Sequence, residues 1–468
     1  MATKLDTTLT TQCLRNAAER LFTLSAPKIL SIERTWKPSD GAPVFTRQGR
    51  YVARGWTEWT QGFQFGSALL QFDATGEKRF LELGRRLTIE RMPSHVSHIG
   101  VHDHGFNNVS TYGNLWRFLR EQKIPGDRRE RQLYELALRA SGAVQAARWT
   151  HLGGGAGFVY SFNGPHSLFV DTIRSMRVLA LAHRLGHVLM GERDRKISLL
   201  GRLVRHVQAT ARYCVYYGEG RDLYDVPGRT VHECIFNLND GSFRCPNTQQ
   251  GYSPFSTWTR GLGWGLLGFA EQLEFFETVS EDELRSALRA DPGAGARDAS
   301  TADAGSTAGP TTLAALRKAM LRAATVAAEF YLANSCTDGI PMWDTGAPNL
   351  HRLGNYLDSP ADPFNAWEPV DSSAAAISAQ GLIRLGNYLR AHGQTRPGTR
   401  YRQAGFTIAR TLFAEPYLST DRRHQGLILH SVYHRPNGWD YIPPGQSVPN
   451  GESSLWGDYH ARELALII

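Results

Sequence analysis

Cysteine is scarce in this sequence, and no two cysteines are spaced like metal ligands. The five residues are Cys13, Cys214, Cys234, Cys245 and Cys336, without a CxxC pair. This spacing provides neither a zinc knuckle nor an even disulfide framework. We expect reduced, mostly buried thiols, and we predict neither a metal nor a cofactor.

Long apolar runs are also missing. No run approaches the roughly 20 residues that a membrane-spanning helix needs. The opening residues, MATKLD, lack the apolar core and cleavage site of a secretory signal. We therefore expect a soluble, cytoplasmic protein that does not bind a membrane.

Concentrated positive charge is absent too, although the formal net charge is +8. Lysine and arginine are spread along the chain without a dense block or tail, which disfavours a nucleic-acid partner. An anionic small substrate needs only a local basic site. The expected partner is therefore a small anionic molecule, and the sequence leaves the oligomeric state unknown.

What the chain does contain is a recurring pair of helical segments. Each pair has a Gly- and aromatic-rich inner segment, a polar turn and an Ala/Arg/Leu-rich amphipathic outer helix. Inner segments are predicted at 59–72, 107–121, 171–185, 258–277, 371–390 and 454–468. Outer helices are predicted at 77–90, 128–148, 311–334, 400–413 and 10–24. A further outer helix is predicted to follow the turn at 191–194 and to end near residue 217. Strand-like stretches are confined to loops, so the sequence predicts an all-α fold of six helical hairpins.

One stretch interrupts this pattern. Residues 280–310 are rich in Gly, Ala and Ser, a composition typical of a flexible surface insert. The hairpin pattern resumes in the same style after it. We therefore predict a single domain over 1–468 instead of a boundary at the insert.

Alternation of inner and outer helices would make all inner helices parallel, so that their N-termini meet at one rim. The side chains expected to converge there are Trp59, Asp103, Asp171, Arg260, Asp371 and Trp456. Helix N-termini carry partial positive charge, which favours a carboxylate ligand.

Asp171 is the first side chain to test at this rim, because it opens a segment with apolar residues at helical spacing. Taken alone, an N-cap is the favoured interpretation of Asp171, as it is of Asp371. Arg260 stands between two tryptophans, which suits either an acidic sugar or a buried structural arginine. The histidine-rich stretch 95–104 suits a polar loop at a pocket better than a metal site. The GxGxxG string at 263–268 lacks a preceding strand, so its glycines favour close helix packing over nucleotide binding.

With these residues in view, the chain resembles the unsaturated glucuronyl hydrolases of glycoside hydrolase family 88. The stretches that carry the resemblance are WTQGF (59–63), HDHGF (102–106), VDT (170–172), TVH (230–232), QQG (249–251), WTRGLGW (258–264), DSSA (371–374) and LWGDY (455–459). They keep the family's order from residue 59 to the C-terminus. The resemblance implies an (α/α)6 barrel, in agreement with the six predicted hairpins.

The resemblance also implies roles for single residues. Asp171 matches the general acid/base and Asp103 the second catalytic carboxylate. The expected substrate-binding residues are Trp59, His102, Phe162, His232, Gln250, Arg260 and Trp264. Phe162 stands where members carry a pocket tryptophan, and His104 stands where an aliphatic residue is common. The insert at 280–310 is a further departure.

The implied reaction is hydration of the C4=C5 double bond that lyases leave in a terminal uronic acid. Asp171 would protonate C4 and then accept a proton from water. We expect burial and the neighbouring Asp103 to raise the pKa of Asp171 for this task. The alternatives are an unsaturated rhamnogalacturonyl hydrolase, a two-carboxylate glycosidase for saturated sugars and a non-catalytic glycan-binding barrel.

Overall fold

The structure is a computed structural model that describes residues 3–54, 58–290 and 312–468. Its helices are α1 Thr11–Thr35, α2 Gln61–Thr75, α3 Lys78–Arg91, α4 Pro93–Val96, α5 His104–Asn108, α6 Asn114–Arg120, α7 Arg128–Ala147, α8 Thr172–Ser175, α9 Arg177–Arg184, α10 Leu199–Ala209, α11 Thr259–Phe276, α12 Glu281–Ala290, α13 Leu313–Ala333, α14 Ser372–Ala391, α15 Thr395–Leu412 and α16 Leu455–Ile467. One π-helical turn, Val109–Gly113, joins α5 to α6, and another, Thr210–Cys214, extends α10.

Six inner segments form a closed ring. In ring order they are α2, α5 with α6, α8 with α9, α11, α14 and α16, and α16 packs back on α2. The helices α3, α7, α10, α13, α15 and α1 pack outside them. The predicted all-α barrel of six hairpins is therefore confirmed.

Glycines allow the inner helices to approach closely. A Cβ atom at Gly62 of α2 would lie 2.3 Å from the Asn107 carbonyl oxygen of α5. One at Gly105 of α5 would lie 2.2 Å from the Ser175 carbonyl oxygen of α8. No side chain fits at such distances. Within the GxGxxG string, a Cβ at Gly268 would lie 2.4 Å from Ile173, so that glycine serves helix packing as predicted.

Short antiparallel strands occupy the loops. The hairpins are β1 Pro43–Arg47 with β2 Arg50–Ala53, β3 Trp149–His151 with β4 Gly157–Val159, and β6 Val188–Met190 with β7 Lys196–Ser198. A three-stranded sheet has β8 Glu233–Phe236 between β5 Ser167–Phe169 and β9 Phe243–Asn247. This sheet matters most for the site, because β5 leads into Asp171 and β8 follows His232.

The prediction of a flexible insert at 280–310 is wrong for about the first third of that stretch. Residues 281–290 form α12, in which Leu284 and Ala287 are buried. Their spacing of three residues gives one apolar helical face. Residues 291–310, which carry the rest of that prediction, lie outside the described residues. That 1–468 form one domain stays a prediction.

Two other predicted helical segments differ from the structure. The N-terminal outer helix continues to Thr35 instead of ending near residue 24. The segment after Asp171 bends at Met176 and divides into α8 and α9. Within the three described ranges, none of the helices has the length and apolar character required to cross a membrane.

Candidate active site

Asp171 stands at the junction of β5 and α8. The Val170 amide donates to the His232 carbonyl oxygen at 2.9 Å, which ties this junction to the strand beside it. Asp171 occupies the N-cap position of α8, yet its side chain accepts no capping hydrogen bond. Its Oδ2 lies 3.0 Å from His102 Nε2 and its Oδ1 lies 3.7 Å from His232 Nε2. The capping interpretation therefore fails, and the carboxylate faces two imidazoles.

Asp103 reaches the same place from another hairpin. It directly precedes α5, and its Oδ1 lies 3.8 Å from His102 Nε2. A ring nitrogen of His102 and one carboxylate oxygen each of Asp103 and Asp171 all lie within 4.8 Å of one another. Both carboxylates are buried, at 5% exposure for Asp103 and 8% for Asp171. Two acids that are distant in sequence thus share one imidazole.

Backbone amides fix the tautomers of both histidines. The Phe162 amide donates to His102 Nδ1 at 3.2 Å, and the Gln249 amide donates to His232 Nδ1 at 3.0 Å. An amide N–H can only donate, so in the neutral ring each Nδ1 is the acceptor and the proton lies on Nε2. We therefore assign Nε2–H groups that point towards Asp171 on both sides.

This arrangement bears on the metal interpretation. A histidine that binds a metal through Nε2 usually donates its Nδ1–H to an acceptor. Here Nδ1 of His102 accepts from the amide N–H of Phe162, so the neutral ring does not carry its proton there. The cluster of His102, Asp103 and Asp171 fits proton exchange better than metal ligation. The other histidines of the 95–104 stretch turn elsewhere, and His104 lies 2.8 Å from Ser141 Oγ.

The pKa shifts of the two carboxylates have opposite directions. Burial and the charge of Asp171 raise the pKa of Asp103, although His102 opposes this. For Asp171, burial is outweighed by the hydrogen bond and charge of His102 and by His232, so its pKa is lowered. Burial opposes protonation of His102, but the two carboxylates raise its pKa. The expectation that Asp171 has a raised pKa is therefore wrong in the substrate-free protein, because His102 bonds to it directly.

Arg260 lies in the first turn of α11 and is 1% exposed. Its two terminal nitrogens donate to Asp371 Oδ2 at 3.1 Å, to Gln250 Oε1 at 2.7 Å, to the Tyr433 carbonyl oxygen at 2.8 Å and to the Val432 carbonyl oxygen. Four of its N–H groups are thus engaged, and a fork to a ligand carboxylate would need one of them released. Arg260 supplies positive charge and orients Gln250.

Aromatic rings surround this group. Trp59 stacks on Trp456 with centroids 5.0 Å apart, and Phe162 stacks on His102 at 6.0 Å. Trp264 packs on Phe106 at 4.8 Å and is 2% exposed. Asp371 caps α14 as predicted, accepting from the Ser373 and Ala374 amides.

Contacts link the candidate residues into one group. His102, Asp103, Phe162, Asp171 and His232 lie around the two carboxylates, and Trp258 joins His232 to Arg260 and Gln250. Trp59 joins Arg260 through Trp456, and Trp264 joins Trp59 through Phe106.

One charged neighbour was missed by the sequence analysis. Glu233 follows His232 directly and is completely buried. Its position next to a candidate site residue was visible in the sequence. Its hydrogen bonds were not, because they come from residues brought in by β5 and β9.

Comparisons with known proteins agree with this architecture. No protein-family model matches the chain. It is 23% identical over 427 residues to the unsaturated glucuronyl hydrolase of Bacillus sp. (strain GL1), covering 89% of this chain and 88% of that protein. It is 23% identical over 429 residues to the unsaturated chondroitin disaccharide hydrolase of Streptococcus pyogenes serotype M1, covering 90% and 84%.

Solved structures give the same result. The crystal structure of the Bacillus sp. GL1 enzyme superposes with a TM-score of 0.66 at 20% identity, covering 96% of this chain and 95% of that one. An unsaturated glucuronyl hydrolase described as specific for heparin gives 0.68 at 18% identity, covering 96% of each chain. The chain is thus a distant relative of proteins with this name over nearly its full length, as its sequence motifs indicated.

Proposed function

We propose that this protein is a glycoside hydrolase that releases 4,5-unsaturated uronic acid from oligosaccharides produced by lyases. The observation that carries the proposal is the meeting of Asp103 and Asp171, from separate hairpins, at the imidazole of His102. The names of the relatives, unsaturated glucuronyl hydrolase and unsaturated chondroitin disaccharide hydrolase, support the same reaction.

In the proposed mechanism, Asp171 acts first as an acid and then as a base. Its carboxyl proton adds to C4, and the positive charge that develops is shared between C5 and the ring oxygen. A water molecule then adds to C5 and gives its proton to the Asp171 carboxylate. The resulting hemiketal opens and releases the neighbouring sugar, so one water is consumed and the acid is restored.

Asp171 must first gain the proton that it lacks in the substrate-free protein. His102 holds a proton on Nε2, 3.0 Å from Asp171 Oδ2. The carboxylate of a bound uronic acid adds negative charge beside Asp171, which raises the pKa of Asp171. Substrate binding would therefore move the shared proton from the charged form of His102, which Asp103 favours, to Asp171, and His102 would be left neutral.

The remaining candidates would bind the sugar. Phe162 and Trp59 offer ring faces, and Gln250 offers an amide that Arg260 holds in place. His232 directs its Nε2–H towards the reacting carboxylate. Trp264, which is buried against Phe106, would support this surface. The proposed substrate is a small anionic oligosaccharide, and the proposed location of the protein is the cytoplasm.

The test is turnover of unsaturated disaccharides made by lyases. We expect the ultraviolet absorbance of the conjugated double bond to disappear in the presence of the protein. Fragments of glycosaminoglycans and of pectin should be compared, since preference for pectin fragments would favour the rhamnogalacturonyl alternative. The proposal is wrong if the protein binds these disaccharides without turning them over, or if it hydrolyses only a saturated glucuronide.

A further inference from the structure

Glu233 is a buried carboxylate that the mechanism does not use. It is the first residue of β8, with Phe169 of β5 opposite it on one side and Asn247 of β9 on the other. None of its surface is exposed. A carboxylate in such a place is costly unless hydrogen-bond donors surround it, so its partners indicate its role.

Four uncharged donors satisfy Glu233. Its Oε1 accepts from Asn163 Nδ2 at 2.7 Å and from Ser167 Oγ. Its Oε2 accepts from Asn247 Nδ2 at 2.6 Å and from Gln249 Nε2 at 2.9 Å. A carboxylate is an acceptor only and can serve all four. A glutamine here would turn an NH2 group towards at least one donor.

The donors lie next to candidate site residues. Asn163 follows Phe162, whose amide sets the tautomer of His102. Gln249 precedes Gln250, and its own amide sets the tautomer of His232. The two loops that carry these residues meet at the single side chain of Glu233.

We propose that Glu233 is a positioning residue that locks both loops, and with them the ring of Phe162 and the amide of Gln250, into the geometry that binds the sugar. The inference rests on the proposed function. It assigns Glu233 to substrate binding and leaves the proton transfer to Asp103 and Asp171.

The test is the Glu233→Gln variant, with Glu368→Gln as a matched control. Glu368 is also buried, at 1% exposure, and accepts from Trp343 Nε1 at 2.8 Å, the Asn349 amide at 2.9 Å and Asn349 Nδ2 at 3.0 Å. Loss of one buried hydrogen bond corresponds to about a tenfold change in binding. For Glu233→Gln we expect KM to rise about tenfold while kcat stays within about threefold. For Glu368→Gln we expect an unchanged KM.

A second measurement does not depend on catalysis. Amide hydrogen exchange of the substrate-free protein should increase at 161–169 and 245–251 in Glu233→Gln, and should stay at the wild-type rate there in Glu368→Gln. If Glu233→Gln does not fold, Asn163→Ala removes one donor and should show the same increase at 161–169. Unchanged exchange at both loops, or a kcat that falls as much as KM rises, overturns the inference. If the wild-type protein turns over none of the disaccharides, the proposed function is wrong. The hydrogen-exchange result still decides whether Glu233 holds the two loops.

Discussion

Two groups of charged side chains lie inside the barrel at different depths along the inner helices. The rim group is His102, Asp103 and Asp171. The deep group centres on Arg174, whose NH1 lies 3.0 Å from Glu271 and whose NH2 lies 3.0 Å from Glu463. At 1.5 Å per residue, these glutamates sit roughly 12 to 18 Å from the N-termini of α16 and α11.

Arg174 is as buried as His102, whereas Glu271 and Glu463 keep 13% and 17% of their side chains exposed, and the two groups differ in the kind of cation. In the deep group the cation is a guanidinium, which keeps its proton at every accessible pH. Arg174, together with His460 and Arg177, lowers the pKa of Glu463 to about 2 against the effect of burial. The charges of Arg174 and Glu463 are therefore fixed near neutral pH, and this pair can hold helices together but does not exchange protons there.

At the rim the cation is an imidazole, which can gain or lose a proton near neutral pH. Its two carboxylates respond in opposite directions, with the pKa of Asp103 raised and that of Asp171 lowered. Unequal carboxylates beside a titratable base are the arrangement that acid–base catalysis needs. We infer that the rim group serves chemistry and the deep group serves stability.

The strongest test of this division of roles is to neutralise one carboxylate in each group. Asp171→Asn should lower kcat by at least about 1,000-fold, because its amide cannot donate and recover the proton. Its melting temperature should stay within about 3 °C of wild type, because Asn can still accept from His102. Glu463→Gln should keep its turnover per folded molecule but lose about 3 kcal/mol of stability.

The absorbance assay and thermal unfolding measure these two outcomes side by side. A folded Glu463→Gln protein that has lost as much turnover as Asp171→Asn would show that the deep group takes part in catalysis, and the division would be wrong.

A smaller effect is expected from Asp103→Asn. Asp103 raises the pKa of His102, against the effect of burial, so the variant should lower that pKa. The reaction needs the proton shared by His102 and Asp171, and activity should fall as the pH rises past the pKa of His102. The alkaline limb of kcat/KM should therefore move to lower pH, with kcat reduced about 100-fold.

The pH profile of the residual activity, measured from pH 5 to 9, gives the answer. Glu463→Gln is the control and should leave the limb where it is. An unmoved limb in Asp103→Asn would mean that Asp103 does not act through His102.

Much of the fold could be predicted from the sequence because amphipathic period and turn chemistry are local. The inner segments fell within a few residues of α2, α11, α14 and α16 for that reason. The helix α12 was missed because it was grouped with the Gly-rich stretch after it, although Leu284 and Ala287 have helical spacing.

The convergence of Asp103 and Asp171 followed from the parallel inner helices, but their protonation states did not. Those depend on the 3.0 Å contact with His102, which no spacing in the sequence reveals. The four bonds of Arg260 and the four donors of Glu233 were hidden for the same reason, since they come from distant loops. Whether these residues act in catalysis and binding stays a prediction.

The smallest expected effect compares one histidine from each group. The pKa of His102 is raised, so its interactions stabilise the fold fully below about pH 6.5 and lose this contribution as the pH rises through the folded-state pKa. Burial lowers the pKa of His460 to about 3. His460 therefore stays neutral in the fold while the unfolded chain takes up a proton, which costs stability as the pH falls below about 6.5.

The variants His102→Gln and His460→Gln should therefore respond to pH in opposite senses. Relative to wild type, His102→Gln should lose more stability at pH 5.5 than at pH 7.5. His460→Gln should recover about 1 kcal/mol over the same change, because it no longer favours the protonated unfolded chain. Urea unfolding at the two pH values measures the difference and cancels the packing that each substitution removes. Parallel responses would mean that the two imidazoles sit in equivalent surroundings, and the contrast between rim and deep group would not hold for their protons.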